Sequence, residues 1–181
     1  MTDLTLLGLC GSLRAASTNR LALLEAVRLF GPGTFVQGNL RLPLYDADLE
    51  AEGMPAEVVT LAKQISTADA IVISTPEYNK NLPGLLKNAL DWTSRVKGGV
   101  WKGKPLAILS AADGRAGGER SQFSLRHCLT PLGPRVLPGP EVMIADSSHA
   151  FDDQGRLKDE KTVKILTDLM QALRTEVARL D

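Results

Sequence analysis

The sequence predicts an α/β fold: one doubly wound, five-stranded parallel sheet in the order 2-1-3-4-5, with helices on both faces. Three observations predict it. Short apolar runs and longer amphipathic stretches alternate five times along the 181 residues. The clearest runs are continuous rather than alternating in polarity, as strands buried on both faces are. The three least ordinary loops follow the first, third and fourth runs. In that strand order they lie side by side at one edge, where such sheets bind ligands. The length favours a single domain over residues 1–181.

The elements follow in order. Residues 4–10 are the first strand, stopped by Gly11. A helical pattern begins at Leu21, with Ser17, Thr18 or Asn19 placed to cap it. Gly31-Pro32-Gly33 ends that helix, and 34–39 reads as the second strand. Residues 40–55 form a long polar loop of the kind used for binding or association. Helical spacing resumes over 56–66, and 69–75 is an uninterrupted β-branched strand. After Pro76-Glu77-Tyr78-Asn79 a helix runs from Pro83, near its first turn, to Trp92. Residues 106–110 are the fourth strand and 111–118 a second glycine-rich loop; a helix carrying Phe123, Leu125, Cys128, Leu129 and Leu132 comes next. Residues 136–137 and 142–144 make a fifth strand interrupted by Pro138-Gly139-Pro140. The closing stripe Val163, Leu166, Leu169, Met170, Leu173, Val177 and Leu180 reads as core packing.

Composition narrows the function. Basic and acidic residues balance at 21 each, so neither a nucleic-acid field nor an acidic docking face is indicated. Aromatics make up 4%, too few for an RNA stacking platform. No apolar stretch reaches membrane length and Met1-Thr2-Asp3 lacks a signal peptide's charged start, which predicts a cytoplasmic chain without membrane contact. Cys10 and Cys128 are spaced for neither a disulfide framework nor a metal, and read as buried structural thiols. His127 and His149 have no companion ligands in sequence.

The first loop carries the chemistry. A strand, a tight loop and a helix N-terminus make an anion site, and Ser12, Arg14, Ser17, Thr18 and Asn19 add hydroxyl, guanidinium and amide donors. No Gly-Lys pair is followed by Ser or Thr, so it is not a P-loop; Gly8-Leu9-Cys10-Gly11 does not supply the dinucleotide fingerprint. A phosphatase loop built on Cys10 would need an arginine where Ala16 stands. The loop suits holding a phosphate, not cleaving one. Pro76–Asn79 offers backbone donors, the Tyr78 ring and the Asn79 amide; 111–118 offers backbone that a flat ligand can approach closely. A planar heterocycle carrying one phosphate fits, and flavin mononucleotide (FMN) is such a ligand. No second domain offers room for the adenosine half of FAD.

The blocks Gly11-Ser12-Leu13-Arg14-x-x-Ser17-x-Asn19, Pro76-Glu77-Tyr78-Asn79, Leu82-Pro83-Gly84-x-Leu86-Lys87-Asn88-Ala89-x-Asp91-Trp92 and Gly117-Gly118-x-Arg120 resemble the NADPH-dependent FMN reductase family, a flavodoxin-like group that includes quinone and chromate reductases. The resemblance implies tightly bound FMN, NADPH or NADH as co-substrate, and a homodimer or homotetramer. It implies the FMN phosphate on Ser12, Arg14, Ser17, Thr18 and Asn19. The ring is then expected against Pro76, Glu77, Tyr78 and Asn79, with Ser110, Ala112 and Gly114 at its pyrimidine edge. Asn81 stands where the family usually has Ser; Ala111 and Ala112 stand where a small hydroxyl residue is common.

The implied reaction has two halves: hydride passes from nicotinamide to FMN, then a quinone or another oxidant (chromate, azo dye, ferric chelate or flavin) takes the nicotinamide's place and is reduced. Flavin carries the chemistry, so no protein acid or base is called for. The competing expectation is a flavodoxin-type electron carrier. Overall neutrality and the lack of aromatics in 111–118 count against it, although Trp101 or a partner subunit could cover the ring. A colourless nucleotide-binding module is the third expectation. Lys87, Asp91 and Trp92 read as helix packing and ion pairing.

Overall fold

The computed structural model describes residues 4–179. Met1-Thr2-Asp3, which bear on the membrane expectation, and Leu180, the last position of the closing stripe, lie outside the described residues.

At the centre are β1 (Thr5–Cys10), β3 (Ala70–Thr75) and β4 (Pro105–Ala111), flanked by β2 (Thr34–Gln37). Every pairing is parallel and the order is β2-β1-β3-β4-β5, as predicted. The fifth position is filled twice. β5 (Arg135–Val136) pairs with Pro105 and Leu106, and β6 (Val142–Ile144) pairs with Leu109 to Ala111. Residues 138–140 divide them, as two prolines that lack an N–H for the ladder should.

Side chains leave the sheet with period two. Leu6, Cys10, Ala70, Val72, Ala107 and Leu109 point to one face, under α1 (Thr18–Phe30) and α6 (Glu160–Ala178). Leu7, Leu9, Ile71, Ile73, Leu106 and Ile108 point to the other, under α3 (Ala56–Thr67), α4 (Gly84–Arg95) and α5 (Glu119–Leu129). Both faces are dry, which is why the strands carry unbroken apolar runs. Cys10 is buried, and burial pushes its thiol above the usual range; Cys128 is only half-buried, less enclosed than expected.

The segment 40–55 is not all irregular. It contains α2 (Ala47–Glu52), capped where the Asp46 side chain accepts from Asp48 N–H. The segment is clamped to α4. The Pro43 carbonyl accepts from Asn88 Nδ2 at 2.9 Å and Trp92 Nε1 at 2.8 Å, while Asn88 Oδ1 takes the Tyr45 N–H at 2.8 Å. Trp92 is fully buried and Lys87 pairs with Asp91, so these residues serve packing and pairing as read. Among the described helices none is long and apolar enough to cross a membrane.

Candidate functional site

The loops after β1, β3 and β4 converge on one cleft of about 1020 Å³ at the carboxyl edge of the sheet. Eleven of the twelve residues predicted to bind cofactor line it: Ser12, Arg14, Ser17, Thr18, Asn19, Pro76, Glu77, Tyr78, Asn79, Ala112 and Gly114. Ser110 is the exception. It is fully buried beneath the second glycine-rich loop, where its hydroxyl donates to the Gly117 carbonyl at 2.6 Å and accepts from Gln122 at 2.8 Å. A strand's period of two turns Ser110 away from the cleft, so it shapes the loop from below.

The first loop is short because Gly11 lets β1 run tight against its neighbours. A Cβ there would sit 2.8 Å from Leu86 Cδ1 and 2.9 Å from Pro76 Cδ. Ser17 occupies the N-cap position of α1, yet its hydroxyl makes no capping bond. The backbone N–H groups of Ala15, Ala16 and Ser17 meet no acceptor among the described residues. Those of Thr18 and Asn19 open the helix, with no carbonyl one turn back. Arg14 is exposed; its guanidinium donates to the Ala16 carbonyl at 2.9 Å, and its N–H to Ser12 Oγ at 3.4 Å. These donors, the hydroxyls and the helix's positive end favour an anion.

Asn19 works differently from its neighbours. Its side chain is buried; Nδ2 donates to the Ala111 carbonyl at 2.8 Å, and Oδ1 accepts from Ala111 N–H at 3.1 Å and Ser74 Oγ at 3.0 Å. The amide therefore ties α1 to β3 and β4, which leaves the Asn19 backbone N–H, in the first turn of α1, as its unspent donor.

The second loop forms a tight hairpin. Tyr78 and Asn81 exchange both backbone hydrogen bonds at 3.1 Å, and the two residues between them, Asn79 and Lys80, have φ of +50° and +64°. Positive φ at both central positions is what a type I′ turn requires. Asn81 takes the Leu82 N–H on its side-chain oxygen at 2.8 Å, which explains why it can replace a serine. Glu77 Oε2 accepts from Arg120 N–H at 3.0 Å and Ser121 N–H at 3.4 Å, so its carboxylate caps the first turn of α5. Tyr78 is half exposed and is the only aromatic residue lining the cleft among the described residues; Trp101 is buried against Thr93 and takes no part.

The third loop is tied by its own backbone and by distant residues. Gly117 and Gly118 have φ of +57° and +93°, and a Cβ on Gly117 would lie 2.7 Å from the Met143 carbonyl carbon. Ala112 N–H is spent on the Ile144 carbonyl, so Ala112 offers the cleft no donor; the N–H groups of Gly114, Arg115 and Ala116 have no acceptor among the described residues. Ser147 and Ser148 also line the cleft, unforeseen from sequence. Asp113 Oδ1 accepts from Ser148 N–H at 2.8 Å and Ser147 Oγ at 3.0 Å, and Thr18 Oγ1 donates to Ser147 Oγ at 3.1 Å. The Ser148 N–H and the two serine hydroxyls hold the Asp113 carboxyl below its usual range. Among the described residues no three His, Cys, Asp or Glu side chains converge to hold a metal.

Comparison with known proteins agrees with this geometry. The family model for NADPH-dependent FMN reductase matches residues 4–149. An NAD(P)H-dependent FMN reductase of Pseudomonas aeruginosa is 44% identical, over 98% of this chain and 97% of its own. A quinone reductase of Escherichia coli is 39% identical, over 95% and 94%. The structure of FerB, a flavoenzyme NAD(P)H:(acceptor) oxidoreductase from Paracoccus denitrificans, superposes with a TM-score of 0.88 at 34% identity, covering 97% of both chains. The loops, the sheet order and these likenesses converge: the chain is an oxidoreductase and belongs to the NADPH-dependent FMN reductase family.

Proposed function

We propose that this chain is an FMN-dependent NAD(P)H oxidoreductase whose acceptor is a quinone or another small oxidant such as chromate, an azo dye, a ferric chelate or free flavin. One observation carries the reading: unspent donors cluster at one end of the cleft and a shaped backbone wall stands at the other. The donor set fits one phosphate and one flat ring. Ser12, Arg14, Ser17, Thr18 and the Asn19 N–H would hold the phosphate. The Tyr78–Asn79 hairpin and the Gly114–Ala116 N–H groups would flank the ring.

FMN, when bound, supplies the redox chemistry: it takes a hydride from the nicotinamide and returns two electrons to the acceptor. The chain's own part is positioning, which in well-oriented reactions is worth about 7–11 kcal/mol of the barrier. The Gly114–Ala116 donors would favour negative charge at the ring edge they face. With Tyr78 as the only aromatic lining among the described residues, this chain would leave one ring face open for nicotinamide and acceptor in turn. That open face favours an enzyme over a flavodoxin-type carrier.

The test is a spectrum followed by steady-state kinetics. FMN-loaded protein should oxidise NAD(P)H in the presence of a quinone and give parallel double-reciprocal lines. Intersecting lines would overturn the alternating mechanism. Folded protein that takes up no FMN from excess cofactor would overturn the whole reading.

A further inference from the structure

A second cavity of about 440 Å³ lies on the far side of the first loop, between the ends of β1 and β2. Ser12 and Arg14 line both cavities and form their common wall. The smaller one is lined by three arginines, Arg14, Arg20 and Arg41, drawn from the first loop, the first turn of α1 and the loop after β2. Among the described residues no acidic side chain lines it.

Among the described residues six of the twelve arginines have no carboxylate partner, and three of those six meet here. Arg28, Arg95, Arg120, Arg135, Arg156 and Arg179 each face a carboxylate. None of the three cavity arginines does among the described residues. Within that same set, Arg14 and Arg41 reach only the carbonyls of Ala16 and Leu13, at 2.9 Å and 3.5 Å, and the Arg20 side chain makes no hydrogen bond. Arg41 is also held in place. Its N–H bonds to Asn39 Oδ1 at 3.0 Å, and two residues on, Asn88 and Trp92 grip the Pro43 carbonyl. Bare arginines gathered at a fixed position repel one another unless an anion joins them.

We propose that this cavity binds a phosphate monoester, and that the ester is the 2′-phosphate of NADPH. This rests on the reading that the neighbouring cleft takes FMN and a nicotinamide. Planar guanidinium forks suit phosphate oxygens, and a dianion satisfies more than one of them. The shared wall places the cavity where a dinucleotide overhanging the flavin cleft would reach. An acid at the end of the second strand would repel a phosphate dianion. Here that edge carries Gln37, Asn39 and Arg41 and no acid. Leu13, 45% exposed at the rim, offers an apolar surface to the adenine.

The experiment is calorimetric titration of the FMN-loaded protein with adenosine 2′,5′-bisphosphate, 5′-AMP and inorganic phosphate. The bisphosphate should bind at least about tenfold tighter than 5′-AMP, as one or two charge-assisted bonds require. Arg20→Ala and Arg41→Ala should each erase most of that preference while flavin content stays at the parent level, and Arg41→Lys should restore part of it. The NADPH-over-NADH preference in kcat/KM should fall with it. Equal binding of bisphosphate and 5′-AMP would overturn the proposal. So would saturation by inorganic phosphate without a bisphosphate preference, which marks a free-anion site. Loss of flavin from either variant would also overturn it, by assigning the arginines to FMN. If the parent protein takes up no flavin, the reading of the cleft falls, and the same titration on flavin-free protein still decides this site.

Discussion

The first and third loops of the cleft are built on opposite plans. Around residues 12–19, the backbone N–H groups of Ala15, Ala16, Ser17, Thr18 and Asn19 meet no acceptor among the described residues, Arg14 is exposed, and the Ser17 hydroxyl leaves its capping place unused. Around 111–118 much of the loop is committed: Gly117 N–H to Gly114, Ser110 to the Gly117 carbonyl, Asp113 to Ser147 and Ser148, and Ala112 to Ile144. The first loop offers hydroxyl, guanidinium and helix-end donors on a lightly tied backbone; the third offers the Gly114, Arg115 and Ala116 N–H groups on a backbone fixed by its ties. A loop of free donors can lose one and keep its form, whereas a loop defined by shape loses its form with any tie. Substitutions of the exposed side chains in the first should lower affinity alone; those in the third, and of the buried Asn19 that joins the two, should lower stability and affinity together.

Gly117→Val should do the most damage. It demands a β-branched residue at φ +57° and drives a Cβ to 2.7 Å from the Met143 carbonyl carbon. The expected cost is about 3 kcal/mol or more by chemical denaturation, with loss of bound flavin. If the Gly117→Val protein were as stable and as yellow as the parent, the claim that this loop acts by shape would end.

Asn19→Leu comes next and tests the joint between the two loops. It strands both backbone groups of Ala111 and removes the partner of Ser74, all buried. Each stranded group costs about 1–3 kcal/mol; with the Ser74 hydroxyl free to turn to another acceptor and the loop relaxing in part, a loss of about 2–4 kcal/mol is expected with weaker FMN binding. Unchanged stability would mean that Asn19 serves only the ligand.

Arg14→Ala sharpens the contrast from the other side. Its guanidinium is exposed and touches only a neighbouring carbonyl, so the melting temperature should stay within a degree or so, as for most surface changes. FMN should bind about 10–100-fold more weakly, the worth of a hydrogen bond to a charged group. A matching fall in stability would erase the distinction between the loops.

The same contrast explains what the sequence could reveal. The sheet order was legible because continuous apolar runs alternate with amphipathic helices, and the split fifth strand because prolines cannot join a ladder. The donors of the first loop were legible as residue types, since free groups are visible without knowing their partners. α2 left no signal because six residues with none buried show no periodicity. Ser147 and Ser148 follow a three-residue strand, and only the run Asp146-Ser147-Ser148 hinted at a structured turn. Ser110 was misplaced because a hydroxyl at a strand's end looks like a ligand until the pleat decides its face. Trp92 read as helix packing alone because the Pro43 carbonyl it grips, together with Asn88, lies on a loop more than forty residues away.

The smallest expected effect concerns pH and rests on Asp113. Its carboxyl titrates below the usual range, first because the Ser148 N–H and then because the serine hydroxyls favour the charged form. A depressed pKa means a contribution present above the unfolded-state value and lost as pH falls through the folded one. Asp113 is exposed, so solvent screening keeps the effect small. The tie between the third loop and Ser147–Ser148 should therefore hold from neutral pH down to about 4, the ordinary aspartate value, and slacken only below it. Amide exchange at Ser148, whose N–H is the donor, reads this directly. Asp113→Asn keeps an acceptor oxygen and should remove the acid step while leaving the neutral-pH protection nearly intact. An acid step of the same size in both proteins would assign it to other carboxylates and free the third loop from Asp113.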